Sequence, residues 1–177
     1  MRLSLCLLML SAISWAVQKG DVRYVDAFNS EGWSGQDVFA WINSAQANLP
    51  SNGGIVDAEG LGSNSFTVTT QLVIGASGKI VQLLIDPSTT FYIATTGGID
   101  AITEADASSL ECASGGLPKN APYYGGFKLT SGANVKSIIA SASRTGSQGM
   151  FLISGCNFLG SSKATVSRAL IDLQGVF

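Results

Sequence analysis

Histidine is absent from this 177-residue chain, and charge is scarce, with 10 Lys and Arg against 12 Asp and Glu. Without His there is no Ser-His-Asp or Cys-His catalytic group, no His-containing zinc site and no imidazole pH switch. An average globular chain is about a quarter charged; here the share is 12%, while 46% of residues are hydrophobic. That combination excludes intrinsic disorder, which needs low hydrophobicity and high charge. A net charge of −2 and a pI near 4.9 leave no basic footprint, which argues against a nucleic-acid partner. The three cysteines form no CxxC or other metal-type spacing, so a cysteine metal site is excluded. Proline is rare too, at 4 residues against 21 Gly.

The N-terminus reads as an export signal over residues 1–16. Met1-Arg2 gives a short positive start, Leu3 to Ile13 is apolar, and Ser14-Trp15-Ala16 places small residues where a signal peptidase cuts. The run is shorter than the roughly 20 residues a bilayer span requires, so the mature chain has no expected membrane span and is expected to be secreted. Cys6 leaves with the leader. Cys112 and Cys156 then sit in an oxidising compartment, where they either form a bridge or remain two buried thiols acting as small hydrophobes.

One segment has helical periodicity. Val38, Trp41, Ile42, Ala45 and Leu49 make a single apolar face over Gln36–Leu49, with Ser34 as the expected cap and Asp37 reaching back as in a capping box. Pro50, Asn52, Gly53 and Gly54 end it. The remainder is short β-rich runs between Gly, Ser, Asn and Thr: Gly54–Ala58, Ser65–Ile74, Lys79–Ile85, Thr90–Ala94, Gly126–Leu129, Val135–Ala140, Met150–Ser154 and Thr165–Leu173. Two architectures fit, an antiparallel sandwich or barrel and a parallel β-helix. Two-residue Asn-Gly and Asp-Gly hairpin turns are missing between neighbouring runs, which favours the β-helix. A capped helix ahead of the first coil also suits a stack whose end must be covered.

The order Val25-Asp26-Ala27-Phe28, a Gly/Ser-rich stretch, a helix over Asp37–Leu49, Ser51-Asn52-Gly53-Gly54-Ile55-Val56-Asp57-Ala58 and Phe66-Thr67-Val68 resembles the N-terminal part of the pectate-lyase superfamily, the pectin-lyase-like proteins. Ile153–Leu159 resembles a further coil of the same kind. The resemblance implies an all-β, right-handed parallel β-helix with one N-terminal capping helix. It gives an extended segment and helix over residues 17–52, coils over 53–177, and a C-terminus that is incomplete or covered by a partner or a second copy. It also implies a polysaccharide partner; the residues alone show no cofactor, and Ca2+ is open only through the resemblance. The acidic run that usually precedes the helix is reduced here to Ser34-Gly35-Gln36-Asp37.

Polysaccharide lyases need clustered carboxylates with a basic residue, and glycoside hydrolases need two spaced carboxylates. The candidates in the coils are Asp57, Asp86, Asp100, Glu104, Asp106, Glu111 and Asp172, with Arg144 and Arg168 as cations. No two of these acids neighbour each other in one strand, so no catalytic residue is assigned. Residues 104–126 read as a long loop without strand pattern, carrying Lys119 and the adjacent Tyr123 and Tyr124; either the rings stack on sugar faces, or one tyrosine packs onto the coil below and anchors the loop. The function the resemblance implies is action on, or binding to, extracellular glycans. The alternatives are a non-catalytic structural or adhesin-like module, a fragment, or a viral tailspike, the last disfavoured by the leader. N-terminal sequencing of the secreted protein should begin at Val17; a chain starting at Met1 would remove the export reading.

Overall fold

The computed structural model describes residues 21–75, 79–105, 107–112, 126–141 and 152–172; the leader expected at 1–16 lies outside them. The described chain is mostly β, with one α-helix. Strand β1 (Val22–Tyr24) precedes helix α1 (Val38–Ala47). Then follow β2 (Gly53–Ala58), β3 (Ser65–Val68), β4 (Leu72–Ile74), β5 (Ile80–Ile85), β6 (Thr90–Ile93), β7 (Ile102–Glu104) and β8 (Ser109–Glu111). The remaining strands are β9 (Gly126–Leu129), β10 (Asn134–Val135), β11 (Ile139–Ser141), β12 (Leu152–Ser154), β13 (Asn157–Leu159), β14 (Thr165–Val166) and β15 (Ile171–Asp172).

These strands make three main sheets. The first runs β1-β2-β5-β8-β12, the second β3-β6-β9-β13 and the third β4-β7-β11-β15, while β10 pairs with β14. Each pairing among the described strands is parallel. The chain visits the sheets in a repeating order: β2, β3, β4, then β5, β6, β7. Glycine makes two of the close approaches possible. Gly53, at φ 98°, and Gly126, at φ 155°, pass so near the carbonyls of Ile80 and Asn157 that a Cβ would overlap them.

Register stacks like on like. In the second sheet Phe66 pairs with Phe91, Phe91 with Phe127 and Phe127 with Phe158. Their rings stack at centroid separations of 6.2, 5.1 and 5.4 Å, and Phe39 of α1 packs onto Phe91 at 5.3 Å. Val56, Leu83 and Leu110 form the inward column of the first sheet; Leu72, Ile102 and Ile139 form that of the third. Such alternation, one residue in and the next out, is why four-residue strands with a single strong apolar column suffice.

The helix covers the strand edges with polar side chains. Asn43 donates to the Gln71 carbonyl (2.8 Å) and accepts from Val73 N (3.0 Å), and Gln46 Oε1 accepts from Gly75 N (3.0 Å). The free edge of β4 is thus paired by side chains spaced i, i+3 on one helix face. At the other end of α1, the Arg23 guanidinium donates twice to the Asn48 carbonyl, and Lys79 Nζ donates to the carbonyls of Gln46, Ala47 and Leu49. Two cations from outside the helix therefore satisfy its orphan carbonyls and its negative pole.

Several sequence expectations need correction. The helix starts at Val38, and Asp37 rather than Ser34 is its cap, accepting from Ala40 N at 3.1 Å. Ser34 instead shares a hydroxyl contact with Ser44 at 3.1 Å. Asp37 prevails because its second oxygen also accepts from Thr69 N (2.8 Å) and Thr70 N (2.9 Å), which turns the chain between β3 and β4. The runs Ser65–Ile74, Val135–Ala140 and Thr165–Leu173 each split between two pairings at polar corners. The stretch 104–126, expected to be strand-free, contains β8. A three-residue strand with one inward apolar residue, Leu110, leaves too little pattern to read. Within the extended segment and helix expected over residues 17–52, β1 is the outer strand of the first sheet.

Partial burial pushes the Asp37 carboxyl up, but the Thr69, Thr70 and Ala40 amides together outweigh it and hold the pKa below the usual value. Its contribution is present above the ordinary carboxylate pKa and fades as pH falls through the lowered one. Asp37→Ala should cost about 1–2 kcal/mol in urea denaturation at pH 7. Phe127→Ala, at the centre of the ring column, should cost about 3–5 kcal/mol. A loss below about 1 kcal/mol for Phe127→Ala would mean that the column is not a packed core.

Candidate functional site

The outward face of the first sheet gathers the polar groups that its inward column rejects. Register aligns Val22, Ile55, Gln82, Ser109 and Leu152 in one outward column, and Tyr24, Asp57, Leu84, Glu111 and Ser154 in the next. A groove of about 330 Å³ opens here, lined by Ile80, Gln82, Ser109, Glu111 and Leu152 among others. Glu111 is fixed in it: Oε1 accepts from Gln82 Nε2 at 2.7 Å and from Ser109 Oγ at 3.3 Å. Ile80 and Leu152 stay exposed and give the groove an apolar flank. Two strands above Glu111 in the same column stands Asp57, whose Oδ1 accepts from Glu59 N at 3.1 Å. Two strand spacings put their backbones about 10 Å apart.

Three other acids converge or are buried elsewhere. Asp100 accepts from Ser137 Oγ at 2.6 Å, and Arg168 Nη1 lies 2.7 Å from Asp172 and 3.7 Å from Asp100. Parallel stacking thus joins residues 72 positions apart in sequence. The hydrogen bond to Asp172 raises the Arg168 pKa further, so the group is a permanently charged clamp between carboxylates. Glu104 is different. It is 0% exposed, it shares an inward column of the third sheet with Ile74 and Ser141, and among the described residues neither carboxyl oxygen has a hydrogen-bond partner. Burial alone pushes its pKa up to about 8.

Cys112 and Cys156 are joined in a disulfide, with Cα atoms 4.9 Å apart and a sequence separation of 44. Closing a loop of that length is worth about 4 kcal/mol on the chain-entropy account. Tyr123, Tyr124, Lys119, Asp106 and Arg144 lie outside the described residues. Asp86 holds a turn, accepting from Ser88 N at 2.8 Å. Among the described residues no three His, Cys, Asp or Glu side chains come together to hold a metal ion. Asp100 and Asp172 converge on the Arg168 guanidinium, which supplies the positive charge between them. Among the described residues no helix is long and apolar enough to cross a membrane.

Sequence reasoning named Asp57 and Glu111 but not their shared column, and it missed Tyr24, Gln82, Ser109 and Leu152. The alternation in Ile80-Val81-Gln82-Leu83-Leu84 marks Gln82 as outward; which residue lies beside it depends on register, which one strand does not encode. No family model, curated protein or solved structure matches the chain.

The buried Glu104 sets a pH dependence whose sign is fixed. Between the ordinary carboxylate pKa and about 8 the unfolded chain has lost a proton that the folded one keeps, so stability falls as pH rises. Thermal unfolding should show the melting temperature declining from about pH 5 to about pH 8. In Glu104→Gln this decline should be largely abolished, and parallel slopes in the two proteins would remove the assignment.

Proposed function

We propose that the chain is an exported right-handed parallel β-helix protein, related to the pectate-lyase superfamily, that binds extracellular glycans along the outer face of the first sheet. The parallel pairing, the fixed order in which the chain visits three sheets, and the helix over the β4 edge support the fold. The leader-like N-terminus and the Cys112–Cys156 disulfide support export. The observation that carries the glycan reading is the groove at Gln82, Ser109 and Glu111, flanked by exposed Ile80 and Leu152. Sugars present apolar C–H faces rimmed by hydroxyls, and this lining offers an apolar flank beside an oriented carboxylate and an amide.

A second reading is hydrolysis, favoured by Asp57 and Glu111 in one outward column. Inverting glycosidases hold their carboxyl groups about 6.5–9.5 Å apart, within reach of residues on strands two apart. One would protonate the leaving oxygen while the other activates water.

A panel of plant and microbial polysaccharides separates the two. Binding reads as retention that drops in Gln82→Ala and Glu111→Ala, with no reducing ends released. Reducing ends that vanish in Asp57→Asn and Glu111→Gln would establish hydrolysis instead. No retention and no turnover would end the glycan reading.

A further inference from the structure

Phe28 is 91% exposed, yet the turn that carries it is held by a set of hydrogen bonds. Ala27 N donates to Gly60 O at 3.2 Å, and Asp26 Oδ1 accepts from Phe28 N at 2.8 Å and Ser30 N at 3.1 Å. Bonds from Ser30 hold the Asp26 pKa below its ordinary value. Asn29 takes a positive φ of 52°, which Asn tolerates better than most residues. Its Oδ1 accepts from Trp33 N at 2.8 Å and its Nδ2 donates to Trp33 O at 2.9 Å. The Trp33 indole then donates to the Tyr24 carbonyl at 2.7 Å, fastening the turn to β1.

An apolar ring at a loose loop tip would lose much of its binding energy in becoming ordered; here that ordering is already built in. Tyr24, 58% exposed, links the turn to the outward column that runs through Asp57 and Glu111. The charged side chains of the turn and of this column, Asp26, Glu31, Asp57 and Glu111, are all acidic. Arg23, next to Tyr24, is buried against the helix carbonyls.

We infer that the turn Asp26–Trp33 is a preformed stacking platform on which Phe28 receives the C–H face of a neutral pyranose, at the upper end of the glycan track. The inference rests on the glycan reading above and narrows its substrate class. Carboxylates accept hydroxyl hydrogen bonds but repel uronates and sulfated sugars. An exposed aromatic also suits a lipid surface, but anionic headgroups would meet the same repulsion.

The test uses the secreted full chain, its Phe28→Ala and Phe28→Trp variants, and Gln82→Ala. Calorimetric titrations use neutral hexasaccharides of β-linked glucose, mannose and xylose, a hexagalacturonate without calcium, and phosphatidylcholine vesicles with and without phosphatidylglycerol. A neutral hexasaccharide should bind, Phe28→Ala should weaken it about tenfold or more with an unchanged melting temperature, and Phe28→Trp should retain it. The hexagalacturonate should bind far more weakly. Neutral-sugar affinity untouched by Phe28→Ala but lost in Gln82→Ala overturns the platform and leaves the groove standing. Hexagalacturonate binding as tight as the neutral sugar overturns the substrate class. Vesicle binding that depends on Phe28, with no sugar bound, replaces the platform by a lipid contact. If no saccharide and no vesicle binds, the platform and the groove reading fall together.

Discussion

Parallel sheets leave an outer strand with a row of unsatisfied amides and carbonyls, and the arrangement of this chain depends on how that row is closed at β4. Helix α1 does it with side chains instead of a backbone. Asn43 and Gln46 take the place of a neighbouring strand, and Asp37 holds the Thr69–Thr70 corner that separates β3 from β4. Placing the helix for that task drops Phe39 onto the phenylalanine column and brings the helix C-terminus to Arg23 and Lys79. One ten-residue element thereby touches the edge of the third sheet, the core of the second, and two cations, Arg23 of β1 and Lys79 just before β5.

The same two-residue alternation that builds the interior also builds the proposed binding face. Once Val56, Leu83 and Leu110 turn inward, Gln82, Ser109, Asp57 and Glu111 have no choice but to face out in straight columns. A site of this kind needs no loop to assemble it. Its spacing is inherited from the hydrogen bonds between strands. Glu104 is the exception, an acid in an inward column, kept neutral by burial near neutral pH rather than by a partner.

The fold was legible wherever periodicity ran long. The helix face Val38, Ile42 and Ala45, and the strands β2, β5 and β6, follow directly from apolar spacing. The corners were not legible. Thr69–Gln71 and Lys136–Ile138 interrupt runs whose composition still looks β-like, and their turning depends on Asp37 and Asp100, residues far away in sequence. The site was legible only as a list of acids. That Asp57 and Glu111 share a column, while Asp100 and Asp172 share an arginine, is a property of register between strands. β8 escaped notice because its single inward residue gives no period to detect.

The Cys112–Cys156 link has a mechanical meaning. Tension applied along the chain passes directly from the end of β8 to the start of β13 across the two sulfurs, bypassing β9, β10, β11 and β12. Those strands, Phe127 among them, carry no load while the bond is intact. Reduction would return 44 residues to the extensible contour, a slack of about 150 Å. Under tension the oxidised chain would thus behave as a short tether with a protected middle, and the reduced one as a long tether without that protection.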